Sequence, residues 1–148
     1  MMTFPVTDLW DEQKCHDFLL NLLHPQGLAC PRCTAPVPQA RVHRRDRAPI
    51  LQYQCRCGRI YNLFTRTIWQ GTHHSCATII EILRGITQGK PTLKLAAELG
   101  VDRKHLLARR HQLQTYALAD GLSAPLPDAA VECDEMYQNA GEKRRTAS

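Results

Sequence analysis

Four thiols are the groups best placed to do chemistry. They come as two close pairs, Cys30-Pro-Arg-Cys33 and Cys55-Arg-Cys57-Gly58, with 21 residues between them. Thiolate is a soft ligand, and Zn²⁺ takes four such ligands at the corners of a tetrahedron. The two thiolates of a pair reach one ion only across a tight turn, and Pro31 and Gly58 supply turn chemistry. The spacing predicts two metal-binding knuckles and a Zn²⁺ site made by Cys30, Cys33, Cys55 and Cys57. Four protein ligands leave no open coordination position, so such an ion is structural and binds no substrate. The second pair is spaced C-x-C where most knuckles are C-x-x-C, and His43 is the alternative donor to Cys55. Disulfides are the rival use of paired cysteines. The opening residues carry no basic stretch followed by an apolar run, so a reduced, cytoplasmic chain is expected, in which close pairs bind metal.

The second chemical signal is charge. Residues 30–119 hold fifteen Lys and Arg against four acids, Asp46, Glu81, Glu98 and Asp102, whereas both ends of the chain are acidic. A one-sided basic excess is the footprint of a polyanion partner. Arg41, Arg44, Arg45 and Arg47 cluster in one stretch beside Arg56, Arg59 and Arg66, where backbone phosphate is the expected contact. Arg103, Lys104, His105, Arg109 and Arg110 make a second cluster. No apolar run is long enough for a membrane span, so no membrane partner is expected.

These groups need elements to position them. Residues 8–23 read as a helix capped by Thr7 or Asp8, with Cys15, Phe18, Leu19, Leu22 and Leu23 on its apolar side. Short β-prone runs follow around Val42, over 50–54 and over 60–64. A segment that crosses to the next unit covers 65–72. A helix is predicted over 75–88, with Ser75 as cap. Residues 93–99 and 103–117 then read as a helix pair joined by Gly100-Val101-Asp102, with Thr92 and Asp102 as caps. Ala96 lies four residues before the glycine. A small residue there lets the second helix approach, which is helix-turn-helix logic. Leu95, Leu99, Val101, Leu106 and Leu113 form its expected core. Residues 119–130 read as a linker, and 131–137 as a strand. At 43% hydrophobic and 6% aromatic, no single part commands a large core, so a small zinc-supported unit needs its metal.

Taken in order, the paired cysteines, the Thr65-Arg-Thr-Ile-Trp-Gln-Gly-Thr72 segment, the helix pair and Val131-Glu-Cys-Asp-Glu-Met-Tyr137 carry a resemblance. The chain resembles the amino-terminal half of bacterial insertion-sequence transposases of the zinc-ribbon DDE type. That resemblance implies an α+β, small multi-module chain. An N-terminal helix (1–27) and a zinc ribbon (28–71) precede a helix-turn-helix unit (72–118), a linker (119–130) and the first strand of a truncated ribonuclease-H-like domain (131–148). It implies binding to double-stranded DNA at the element's terminal inverted repeats, near the bacterial nucleoid, with full-length transposase or a second copy as protein partner. Asp134 matches the first catalytic acid of the family. Mg²⁺ would bind only in a complete catalytic domain, because one carboxylate cannot fix two ions. The expectation is a DNA-binding portion inactive in strand transfer by itself. The rival functions are a stand-alone DNA-binding repressor and a zinc-stabilised protein-interaction module.

Overall fold

In a computed structural model, which describes residues 3–123, Pro5 sets an extended entry to a 3-10 turn, Val6–Trp10. The first helix, α1 (Glu12–Leu23), begins after that turn and not at residue 8. Its cap is Asp11, whose carboxylate accepts from the backbone N–H groups of Gln13 and Lys14. Asp8 is committed elsewhere: its carboxylate pairs with Lys14 at 2.8 Å, and its carbonyl accepts the Asp11 N–H. Cys15 and Leu19, four apart on one face, are fully buried.

The three strands β1 (Arg41–Arg44), β2 (Gln52–Gln54) and β3 (Ile60–Tyr61) form one antiparallel sheet in the order β1-β2-β3. Arg41 faces Gln54 and Val42 faces Tyr53, but Arg44 faces Gln52, so His43 is the extra residue of a bulge. β3 stops short of the predicted residue 64 for a local reason. The Asn62 side chain accepts the Phe64 N–H at 2.9 Å, and the Asn62 carbonyl accepts the Thr65 N–H at 3.2 Å. Asparagine thus offers the backbone a turn in place of the ladder.

Helix α2 (Cys76–Thr87) is capped by Ser75, as its sequence predicts. Helix α3 (Thr92–Leu99) takes Pro91 as its cap residue, with no side-chain cap from Thr92, which is its first helical residue. Gly100 closes α3 in the left-handed conformation at φ 64°, a geometry that glycine adopts without a Cβ penalty. Helix α4 (Arg103–Ser123) starts where the Asp102 carboxylate accepts the His105 N–H at 2.9 Å. It runs on into the stretch predicted as linker, because Ala117, Leu118 and Ala119 are good helix formers.

Among the described residues the architecture is therefore α+β, with four α-helices and one small sheet. One apolar cluster joins Cys15 and Leu19 of α1 to Ile79, Ile80 and Ile82 of α2, Leu95 of α3 and Leu106 of α4. Leu63, Phe64 and Trp69 enter the same cluster from the chain after β3. A second and much smaller cluster holds Cys30, Cys55 and Tyr61. The predicted strand over 131–137, with Asp134, lies outside the described residues.

Candidate metal centre and basic surfaces

Each cysteine pair sits on a turn that its own backbone closes. In the first, the Cys30 carbonyl accepts the Thr34 N–H at 2.9 Å, and the Cys30 N–H donates to the Ala35 carbonyl at 2.9 Å. In the second, the Cys55 carbonyl accepts the Gly58 N–H at 2.9 Å, and the Cys55 N–H donates to the Arg59 carbonyl at 2.9 Å. The second turn is one residue shorter, which is what C-x-C costs relative to C-x-x-C. Both turns need a left-handed residue, Thr34 at φ 62° and Gly58 at φ 88°. The short knuckle is thus a tightened copy of the long one, closed by glycine where the backbone has least room.

The turns bring four sulfurs together. Cys30 Sγ and Cys57 Sγ are 3.6 Å apart, Cys33 Sγ and Cys55 Sγ are 3.3 Å apart, and all four lie within 4.8 Å of one another. A disulfide would need about 2.05 Å. A tetrahedron with metal–sulfur bonds of about 2.3 Å has edges of about 3.8 Å, close to the separations found. The set includes Cys55 and leaves His43 out. Cys30 and Cys55 are buried while Cys33 and Cys57 reach the surface, so the cluster has a protected side and an open one.

The electrostatics agree with a cation between the sulfurs. Burial opposes ionisation of Cys30, yet the backbone N–H groups of Cys33 and Arg32 outweigh it and lower that thiol to about 6. The backbone near Ala35 also favours a Cys33 thiolate, but its neighbour Cys55 and then burial push Cys33 up to about 12. The Cys30 thiol is eased toward its thiolate while Cys55 and burial hold Cys33 protonated, a conflict among neighbouring sulfurs. A divalent cation removes that conflict, because it stabilises every thiolate at once. The arrangement is therefore able to hold a metal ion by Cys30, Cys33, Cys55 and Cys57, and what the ion supplies there is cross-linking of two turns.

Tyr61 forms the floor of this cluster. Its ring lies 5.8 Å from that of Tyr53, its cross-strand partner, and its hydroxyl has no hydrogen-bond partner among the described residues. Burial first, and then the charge of Cys30 and Cys55, raises its pKa.

The predicted basic residues separate into two groups. Arg44 and Arg45 at the end of β1, and Arg103 and Lys104 in the first turn of α4, are exposed and have no acidic partner among the described residues. Arg56 and Arg66 are exposed as well, whereas Arg41, Arg47, Arg109, Arg110 and His105 are engaged. Arg41 donates to Gln54, the residue it faces across the sheet. Arg47 turns inward, donating to the Thr72 carbonyl at 2.9 Å and the His74 carbonyl at 3.1 Å. Arg110 donates to the Lys90 carbonyl and so ties α4 to the loop between α2 and α3. His105 places its ring 3.3 Å from the Asp102 carboxylate. Arg109 lies over the ring of Trp69, 5.6 Å from its centroid, and donates to Gln112 at 3.1 Å.

Sequence reasoning gave no role to Trp69 or to Glu12 outside its own helix. Glu12 accepts from the backbone N–H groups of Cys76 at 3.2 Å and Ala77 at 3.0 Å, so one helix caps another across 64 residues of sequence. No local pattern encodes such a partner. No helix among the described residues is long and apolar enough to cross a membrane. Comparison with protein-family models, with curated proteins and with solved structures found no match to this chain.

Proposed function

We propose that this chain reads duplex DNA through two elements, a zinc ribbon built on the four-cysteine cluster and a helix-turn-helix formed by α3 and α4. The observation that carries the reading is the α3–α4 turn. Gly100 is left-handed, Ala96 is buried beneath the turn, and Arg103, Lys104 and His105 stand exposed at the start of the second helix. A helix offered by its N-terminal residues is what enters a major groove in this motif. Arg44 and Arg45 supply a second cationic point on the ribbon. The resemblance to zinc-ribbon DDE transposases gives the biological target, the inverted repeats at the ends of an insertion sequence. In that reading Asp134 belongs to the catalytic part, where Mg²⁺ would act, and Zn²⁺ at the cysteines is structural only.

Titration of zinc-loaded chain with duplex DNA across salt concentrations tests this. Arg44, Arg45, Arg103 and Lys104 together should contribute about −3.6 to the log–log slope, at about −0.9 per phosphate neutralised. The double substitution Arg103→Ala, Lys104→Ala should make it shallower by about 1.8 on the same basis. A flat salt dependence in the unaltered chain sinks the proposal. One observation favours a second reading as a protein-interaction module: Trp10 is 93% exposed on a turn flanked by Asp8 and Asp11. A partner held there would be retained by the same double variant.

A further inference from the structure

The segment between β3 and α2 does more than cross from one unit to the next. It is a ladder of tight turns: the Thr67 N–H donates to the Phe64 carbonyl, Gln70 to Thr67 and Thr72 to Trp69, at 3.0 to 3.1 Å. Side chains lock it further. The Thr67 hydroxyl donates to the Phe64 carbonyl at 2.7 Å, and the Arg66 N–H donates to Gln70 Oε1 at 2.8 Å. Arg66 itself is left-handed at φ 61°, a conformation that a long side chain rarely takes, and its side chain is exposed. The fold holds this arginine outward on a rigid strap.

Facing the strap is one flank of α4. Two open clefts lie between them and share Arg109 and Gln112. The first, about 460 Å³, runs past Trp69, His73, His74 and His105. The second, about 710 Å³, runs past Arg66, Gln70 and Tyr116. Together they make one groove beside α4 from His105 to Tyr116, about 16 Å at 1.5 Å per residue. Its only acid is Asp102 at one end, already engaged by His105. Arg109 sits midway, supported by Trp69 and without an acidic partner among the described residues. Gln112 holds the guanidinium in place without neutralising it.

We propose that this groove carries the sugar–phosphate backbone of one nucleic-acid strand, with Arg109 and Arg66 as its two phosphate contacts. A small anion needs a closed pocket, whereas this channel is open along its length and spans about five nucleotide rises of 3.4 Å. Arg103 and Lys104 do not line the groove, whereas His105 does, so the groove and the major-groove surface adjoin on one helix and meet at His105. The proposal rests on the DNA-reading function above and adds a strand path to it.

The test uses the zinc-loaded full chain, a fluorescein-labelled random-sequence duplex and the matching single strand, with anisotropy read at several salt concentrations. Arg66→Gln should reduce the steepness of the salt dependence by about 0.9, and with Arg109→Gln added by about 1.8. Each unit of 0.9 means about 3.5-fold less affinity lost between 50 and 200 mM salt. Arg66 is exposed, so its single variant reports even if Arg109→Gln disturbs the Trp69 contact. A loss of about 0.9 per contact on the duplex and about 0.7 on the single strand supports a backbone contact that does not require pairing. A loss confined to the duplex supports a path for one strand of the double helix. Unchanged slopes in both variants, alongside a reduced slope in Arg103→Ala, Lys104→Ala, overturn the groove and leave the DNA-reading function standing. No binding of either probe by the unaltered chain overturns both.

Discussion

The sulfur cluster and the helical core solve the same problem by opposite means. In the sulfur cluster only Cys30, Cys55 and Tyr61 are buried, with Leu28, Val37 and Tyr53 partly covered. Around α2 the buried set includes Ile79, Ile80, Ile82, Trp69, Phe64 and Leu95. A small sheet with so little to bury does not stand by itself in water. Apart from Ile50, which the β1–β2 connection buries in the larger core, and the Arg47 hydrogen bonds, its stability would have to come from a link between its two turns. The helices need no such link, since a fully buried aliphatic side chain contributes about 1.5–3 kcal/mol by removal from water. The contrast teaches where a bound metal ion would matter to stability in this molecule and where it would not.

Metal removal is the strongest way to break that contrast, and it carries the largest expected effect. Structural Zn²⁺ in small modules contributes on the order of 10 kcal/mol of folding free energy. A chelator, or Cys30→Ser, should abolish the sheet, seen as loss of the dispersed resonances of Tyr53 and Tyr61. The helical far-ultraviolet signal should persist, because α1, α2, α3 and α4 share a core that contains no ligand cysteine. Loss of helix and sheet together would show that the two regions are one cooperative unit. A sheet indifferent to chelation would remove the metal from the account.

Packing is the corresponding test on the other side. A Cβ added at Gly85 would stand 2.5 Å from Leu95 Cδ1 and 2.7 Å from Cδ2. Leu95 is 1% exposed, so its side chain has nowhere to swing. Gly85→Ala gains about 1 kcal/mol in helix propensity, and overpacking costs about 1–3 kcal/mol. A net loss of up to about 2 kcal/mol in thermal or denaturant melting is expected, with zinc affinity unchanged. A stabilised variant would mean that α2 and α3 slide apart at no cost, and that this core is softer than its burial implies.

Legibility divides along the same line. The four ligand candidates were readable from spacing, because a knuckle is local: a turn and two thiols within a few residues. The caps Ser75 and Asp102 and the Gly100 turn were readable for the same reason. The start of α1 was misplaced because Asp8 and Asp11 are both good caps, and only the contact with Lys14 decides between them. The basic residues were readable as charge but not as roles. Arg47 and Arg110 spend their guanidinium groups on carbonyls of distant loops, and nothing in their neighbours' identity says so. Glu12 and Gly85 fail for the same cause, since each is explained by a residue on another helix. Long-range pairing is what periodicity and spacing do not encode.

The smallest expected effect sharpens the comparison at the start of α4, on the side of the helical core. Asp102 holds its carboxyl below the usual value of 3.8, chiefly through the His105 N–H that it accepts, with burial opposing and the His105 charge assisting. A carboxylate whose folded pKa is depressed stabilises fully above its unfolded pKa, and that contribution is lost as pH falls through the folded value. The first turn of α4 should therefore loosen only below about pH 3.8. The His105 amide resonance should report it. Asp102→Asn keeps a capping oxygen but has no proton to take up, so the amide should then stop responding in that range. If the variant titrates as the parent does, the acid sensitivity of this turn comes from elsewhere and Asp102 is not its cap in solution. If the sheet resonances move in step with His105, the separation between the sulfur-cluster region and the packed region fails at low pH.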